Sequence, residues 1–484
     1  MPLTELQIHA RPVADAFEAL RPEQADQLLA RIDETRSALD GRCVWNVNST
    51  ARGGGVAEML DPLVAYARGA GIDSRWAVIS GDSEFYEITK RIHNRLHGSA
   101  GDHGPLGEAE RSAYEATLTF SGNALRKLVA PGDIVVLHDP QTAGLAPDLV
   151  SSGAHVVWRC HIGIDDSNDF VEEAWSFLRP YIDCAHLLVF SRRQHVWDGI
   201  DHDRVRIVPP AIDHRSAKNQ PLGPEPVNAI LRAAGLHASP GSGRAAFVGR
   251  DGNIAEVERR AEMLGAPELI AGLPIVTQVS RWDHLKDPVG VMRGFIEHVQ
   301  PHQPSQLVLA GPSATAVADD PEQSQVLDEV LEEWHALDKQ ARATVVVACL
   351  PMDDIEENAA IVNALQRHSD VVVQKSLAEG FGLTVTEAMW KGTPVVASGV
   401  GGIRDQIEHL VTGLLLEEPS DIETFGEHVS LLLREPVIAD GIGASGRNSV
   451  LEKFLISRHL LQDVELYDEL LVGDIAGAQV RAGI

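Results

Sequence analysis

Basic side chains are scarce in this chain, with 41 lysines and arginines against 70 aspartates and glutamates in 484 residues. Such a balance repels nucleic acid and anionic membranes, so an anionic ligand must be received by a local island of positive charge. Cysteine is scarcer still. Cys43, Cys160, Cys184 and Cys349 are widely separated, each in or beside an apolar run. That placement predicts buried thiols rather than disulfides or metal ligands. Long apolar runs are missing: none approaches the roughly 18 residues of a membrane span, and the opening MPLTELQIHARPVADAFEAL has no apolar signal core. A cytoplasmic protein with neither a nucleic-acid nor a membrane partner is expected.

What is present is a soluble globular composition, 44% apolar and 23% charged, at a length that exceeds one ordinary core. The most informative stretch is VVVQKSLAEGFGLTVTEAMWKGTPVVASGVGG, from Val371 to Gly402. Val371–Val373 is β-branched and predicts a buried strand. Glu379-Gly380-Phe381-Gly382 is a turn, Leu383 to Trp390 a helix with Thr384 in its first turn, Val395–Ala397 the next strand, and Gly399–Gly402 a second glycine turn. Strand, glycine loop, helix, strand and glycine loop place two loops at the carboxyl edge of a parallel sheet, where open α/β sheets bind ligands. Amides at Gly382, Leu383 and Thr384, aided by the helix dipole, suit a phosphate. The carboxylates Glu379 and Glu387 suit sugar hydroxyls. The combination suggests a sugar nucleotide.

In chain order, about 40 residues read as helical before the strand Cys43–Asn48. A glycine run, Gly53-Gly54-Gly55, then leads into a helix from Val56 to Ala70 and allows close backbone approach to a ligand. It is not the spaced GxGxxG fingerprint. Strand Ile134–Leu137 ends in His138 and Asp139, and strand His155–Trp158 ends in Arg159 and His161. Polar residues thus recur at strand tips that face a ligand crevice. Pro209-Pro210 reads as a stiff hinge. Beyond it, Arg215 to Gly272 is polar and alanine-rich, with helices expected over Asn228–Ala234 and Glu256–Met263 and a mobile insertion over Ala238–Asp251.

The pattern restarts at strand Pro274–Val279, whose tip carries Arg281 and Lys286. These two cations are the positive island, able to hold a diphosphate by charge-assisted hydrogen bonds. Their alternative is an exposed salt bridge to Asp283 or Asp287. Helices Ile422–Leu433 and Val450–Val472 close the chain. Two doubly wound α/β units follow: residues 1–214, residues 215–454, and a terminal helix over 455–484 that packs back on the first.

VNSTARGGGVAEML, GDSEFYEITKRIHNRLHG, LHDPQTAGL, QVSRWDHLKDPVGV and VVQKSLAEGFGLTVTEAMWKG together resemble the trehalose glycosyltransferring synthases, retaining glycosyltransferases of family 4. The resemblance runs from about Trp45 to Gly413 and departs over Arg215–Gly272 and in the acidic tail. It implies an α/β GT-B fold, two Rossmann-like domains with parallel sheets facing a central cleft. It also implies transfer of glucose from a nucleoside diphosphate such as UDP or ADP to free glucose, giving α,α-trehalose, without a separate cofactor or essential metal. Carried onto this sequence, Glu379 binds donor-glucose hydroxyls, Glu387 the ribose, Arg281 and Lys286 the diphosphate, and His138 the transferred sugar. Gly53–Gly55 closes over the phosphates, and Asp139, Arg159 and His161 line the acceptor pocket. Closure about the proline hinge is expected to exclude water, and a homodimer is expected only by analogy. Two alternatives remain at this point: a trehalose phosphorylase with the same glutamates, and a non-catalytic sugar-binding protein.

Overall fold

The computed structural model describes residues 3–51, 55–237, 241–265, 269–313 and 321–482. Gly53 and Gly54 lie outside the described residues, and Gly55 is the first residue of the helix Gly55–Gly69. The chain divides into two units, Met1–Ala211 with Leu455–Ile484, and Ile212–Phe454.

In the first unit the strands are β1 (Leu3–Leu6), β2 (Val44–Asn48), β3 (Ser74–Ile79), β4 (Ile134–His138), β5 (His155–Cys160), β6 (Leu187–Phe190) and β7 (Val205–Ile207). They lie side by side in the order β1-β3-β2-β4-β5-β6-β7. All neighbours are parallel except β1, which runs antiparallel to β3 from Leu3 opposite Ile79 to Leu6 opposite Trp76. The helical reading of the first 40 residues is therefore corrected at its start. LTEL is too short for a helix and instead pairs with the free edge of β3, while helices occupy Val13–Phe17 and Pro22–Leu39.

The strands of this sheet are apolar on both faces because helices cover both. Trp45, Val47, Val135, Leu137 and Trp158 enter one core with Phe85, Tyr114 and Trp175. Val44, Trp76, Val136 and Val157 enter the other, which Ile456, Leu460, Val464 and Tyr467 of the last helix complete. Those four recur at helical spacing, which is why the final segment, Ile456–Ala482, belongs to the first unit. The single terminal helix expected over Val450–Val472 is instead two, Pro436–Lys453 and Ile456–Ala482, broken at Phe454 and Leu455.

The second unit contributes β8 (Ala246–Val248), β9 (Ile254–Glu256), β10 (Glu262–Met263), β11 (Ile275–Val279), β12 (Gln306–Pro312), β13 (Val345–Leu350), β14 (Val371–Gln374), β15 (Val395–Ser398) and β16 (Leu414–Leu416). Its main sheet runs β10-β13-β12-β11-β14-β15-β16, parallel apart from β10. One expectation fails here. Glu256–Met263 is not a helix, because long-range bonds claim its backbone. Glu357 accepts from the N–H groups of Glu258 and Arg259, Ala261 donates to Ala234, and Glu262–Met263 pairs with Ala348–Cys349. The segment Ala238–Asp251, read as a mobile insertion, contributes strand β8, which pairs antiparallel with β9 just beyond it; its residues 238–240 lie outside the described residues. The helix near Asn228 does form, as Pro224–Ala233.

Numbered by sequence among their parallel strands, the sheets have orders 2-1-3-4-5-6 and 3-2-1-4-5-6, so each reverses direction beside its first parallel strand. In the first unit that switch lies between β2 and β4, in the second between β11 and β14. Ligands of doubly wound sheets bind outside the carboxyl ends of strands at such a point. Of the four cysteines, Cys43, Cys160 and Cys349 are buried as expected. Cys184 is exposed, because it falls in the turn after the helix Asp169–Ile182 rather than in a strand. Among the described residues no helix is long and apolar enough to cross a membrane, and no cluster of three or more His, Cys, Asp or Glu could hold a metal.

Candidate active site

At the second unit's switch point the tip after β11 and the loop after β14 are joined by three contacts. Lys286 Nζ donates to Glu379 Oε2 at 2.5 Å, the N–H of Leu377 donates to the carbonyl of Leu285 at 2.8 Å, and Lys375 pairs with Asp287. Asp287 sits at φ 47°, in the left-handed region, where its carboxylate also caps the helix Pro288–Gly294 by accepting from Gly290 N–H. One strained aspartate thus anchors both elements. The side chains of Lys286 and Glu379 are 15% and 14% exposed, so their charges are partly desolvated yet reachable.

Arg281 behaves differently. Its side chain is 61% exposed and pairs with Asp283 at 3.3 Å, one of the two alternatives its sequence allowed. The structure brings Lys286 and Glu379 together but leaves Arg281 at the surface.

Gly382 takes φ 87° at the head of Leu383–Trp390, and no side chain caps that helix. Leu383 and Thr384 supply its first turn. Glu387, one turn further on, is buried, with Lys218 Nζ 3.5 Å from its Oε1. Lys391 donates to the main-chain carbonyl of Glu387 and to Asn219 Oδ1, each at 3.1 Å, and burial pushes its ammonium well below the ordinary lysine range.

The second glycine turn braces the first. Gly402 N–H donates to the carbonyl of Gly380 at 2.9 Å, and Gln406, held by Thr386 Oγ1 at 2.6 Å, donates to the carbonyl of Phe381. A Cβ on Gly401 would lie 1.6 Å from the carbonyl oxygen of Glu379, so the loop carrying that glutamate closes only against glycine.

In the first unit the polar strand tips do meet. His138 lies between Asn46 Oδ1 and His161 Nε2, both 3.1 Å from its ring nitrogens. An Asn46 carbonyl oxygen at Nε2 assigns the proton there, which leaves Nδ1 to accept from His161. Burial, reinforced by the Arg159 charge, holds both imidazoles well below the ordinary histidine range, so they are neutral at pH 7. Asp139, at φ 61°, accepts the N–H of His161 at 2.8 Å.

Arg159 turns into the core instead. It donates to His459 Nε2 at 2.8 Å and to the carbonyl of Val208 at 3.2 Å, with Asp463 3.8 Å away. Of the three acceptor candidates it is the one that anchors the terminal helix.

Burial outweighs the His161 hydrogen bond and the Arg159 charge at Asp139, raising its carboxyl to about 7. Between pH 4 and 7 the folded protein therefore binds a proton that the unfolded chain does not. Stability contributed by this site is full below pH 4 and falls as pH rises toward 7. Asp139→Asn keeps an acceptor for His161 and should flatten that decline, leaving the variant about 4 kcal/mol more stable than wild type at pH 8 relative to pH 4. Urea denaturation across this range checks it, and an unchanged slope contradicts it.

Sequence reasoning missed Asn46, Lys218, Lys375, Gln406 and His459, and took Asp287 only as a salt-bridge alternative for Arg281 and Lys286. Lys375 and Asp287 had a local signal, since each flanks a strand end or opens a helix. Asn46, Lys218 and His459 had none, because their partners are distant in sequence.

Residues 46–197 match the family described as Trehalose synthase, N-terminal domain, and residues 266–449 match Glycosyl transferases group 1. A trehalose synthase of Pyrococcus horikoshii is 32% identical over 445 residues, covering 92% of this chain and 94% of that protein. The chain belongs to the trehalose synthase family. A second trehalose synthase, from Rubrobacter xylanophilus, is 33% identical and covers 95% and 97% of the two chains. A trehalose phosphorylase of Grifola frondosa is more distant, at 27% identity over 59% of its own length. The UDP-forming α,α-trehalose-phosphate synthase of Burkholderia xenovorans superposes with a TM-score of 0.64 at 15% identity, over 88% of this chain and 99% of that one. The fold this trehalose synthase relative shares with it is GT-B, two α/β units of the Rossmann kind.

Proposed function

We propose that this protein is a retaining glucosyltransferase that makes α,α-trehalose reversibly from a nucleoside diphosphate glucose and glucose. The observation that carries the reading is the Lys286–Glu379 pair at a topological switch point, beside a helix whose first turn no side chain caps. Names of the relatives support the same chemistry.

In this reading Lys286, the amides at Gly382, Leu383 and Thr384, and the more exposed Arg281 receive the diphosphate. They stabilise the negative charge that grows on it as the glycosidic bond breaks. Glu379 takes donor-glucose hydroxyls and Glu387 the ribose. His138 and His161, both neutral, present hydrogen-bonding groups to sugars, and Asp139 holds the N–H of His161. The acceptor hydroxyl attacks from the face the leaving group departs, and the leaving phosphate oxygen takes its proton. No covalent carboxylate intermediate is required, in contrast to retaining hydrolases.

The test runs the reaction backwards. Trehalose is incubated with UDP, with ADP or with inorganic phosphate, and the sugar product is identified. A nucleoside diphosphate glucose is expected; glucose 1-phosphate formed only with phosphate would overturn the donor assignment.

A further inference from the structure

Both carboxylates of the loop and helix after β14 face a lysine brought from an earlier segment: Glu379 faces Lys286, and Glu387 faces Lys218. The second pairing belongs to no motif and comes from an irregular segment just past the boundary between the units. That segment is unusually well tied. The carbonyls of Ala217 and Gln220 accept from Asn363 Nδ2 at 3.0 Å each, and the carbonyl of Asn219 accepts from Trp390 Nε1 at 3.1 Å. Arg367 adds a bond to the Gln220 carbonyl at 3.0 Å, and Asp213 accepts the N–H of Arg215 at 3.0 Å. The backbone on both sides of Lys218 is therefore fixed against the helices Ile355–His368 and Leu383–Trp390.

The Glu387 side chain is only 7% exposed, whereas that of Lys218 is 23% exposed. A carboxylate so enclosed takes its orientation from its charged neighbours. Lys391 bonds to the main-chain carbonyl of Glu387 and to Asn219, and the Glu387 charge also acts on its ammonium. Lys218, at 3.5 Å from Oε1, faces the carboxylate from the opposite segment of the chain. We infer that Lys218 is a positioning residue, which holds the Glu387 carboxylate in the orientation that accepts both hydroxyls of a nucleotide's ribose. The inference rests on the proposed donor reading and deepens it. Ribose recognition at this site is set by a lysine outside the loop and helix that carry the glutamate.

The test compares a ribonucleoside diphosphate, UDP or ADP, with its 2′-deoxy counterpart by calorimetry on the full-length protein. Wild type is expected to prefer the ribo form about tenfold or more, the scale of one hydrogen bond to a charged group. Lys218→Met should reduce that preference to within about twofold, and Lys218→Arg should retain part of it. Thermal unfolding shows whether each variant is folded. A Lys218→Met protein that keeps the full preference, or weakens both ligands equally, overturns the inference and assigns the lysine a structural role. Wild type that binds the diphosphate without preferring ribose also overturns it, whereas wild type that binds neither diphosphate overturns the donor reading beneath it.

Discussion

Lys286→Ala is expected to lower kcat for glucosyl transfer by about 10²–10³-fold while leaving the fold in place. Lys286 is a partly buried cation at the switch point, so in the proposed reaction its charge would act on a departing diphosphate with less screening than at the surface. Its removal also leaves the Glu379 carboxylate, 2.5 Å from it in the structure, without that counterion where phosphates would lie. Arg281→Ala is expected to cost far less, about tenfold, because that guanidinium is 61% exposed and already faces Asp283. Steady-state kinetics at saturating donor, with circular dichroism as a folding control, separates the two. Equal turnover in Lys286→Ala and wild type would remove the phosphate clamp from the account.

Gly401→Ala should be the most damaging single substitution in the loop system. An added methyl would meet the Glu379 carbonyl oxygen at 1.6 Å, a collision with backbone that no side-chain rotation relieves. The loop must shift, and Glu379 and its contact with Lys286 shift with it. A loss of about 3 kcal/mol is expected, or roughly 6–12 °C in the melting temperature of the second unit, together with most of the activity. Gly392→Ala is the control. That glycine has φ 76°, but a methyl there would meet nothing within 4 Å, so only backbone strain of about 1 kcal/mol is expected. Similar melting temperatures for the two variants would show that strain, not the braced loop, sets the requirement for glycine.

The sequence carried the main sheets clearly because their strands are buried on both faces and read as continuous β-branched runs, as Val371–Val373 and Ile134–Leu137 do. It misread segments whose structure is decided by distant partners. Leu3–Leu6 is a strand only because β3 offers an edge, and Glu256–Met263 is not a helix because Glu357 and β13 claim its backbone. The same division holds in the site. Lys286, Glu379, His138, Asp139 and His161 were legible because strand tips and glycine turns mark ligand edges. Arg159 sat at such a tip too, but its side chain follows the pleat to the face covered by His459 and Asp463. A tip position fixes the backbone's location and leaves the side chain's direction to strand parity.

The central claim is transfer of glucose with retention, and it is tested most directly by the stereochemistry of the product. The protein is incubated with UDP-glucose or ADP-glucose and unlabelled glucose, and the disaccharide is examined by proton NMR. The account predicts α,α-trehalose, whose two equivalent anomeric protons give a single signal in the α configuration. A β-linked disaccharide, or release of free glucose with no disaccharide, would contradict it.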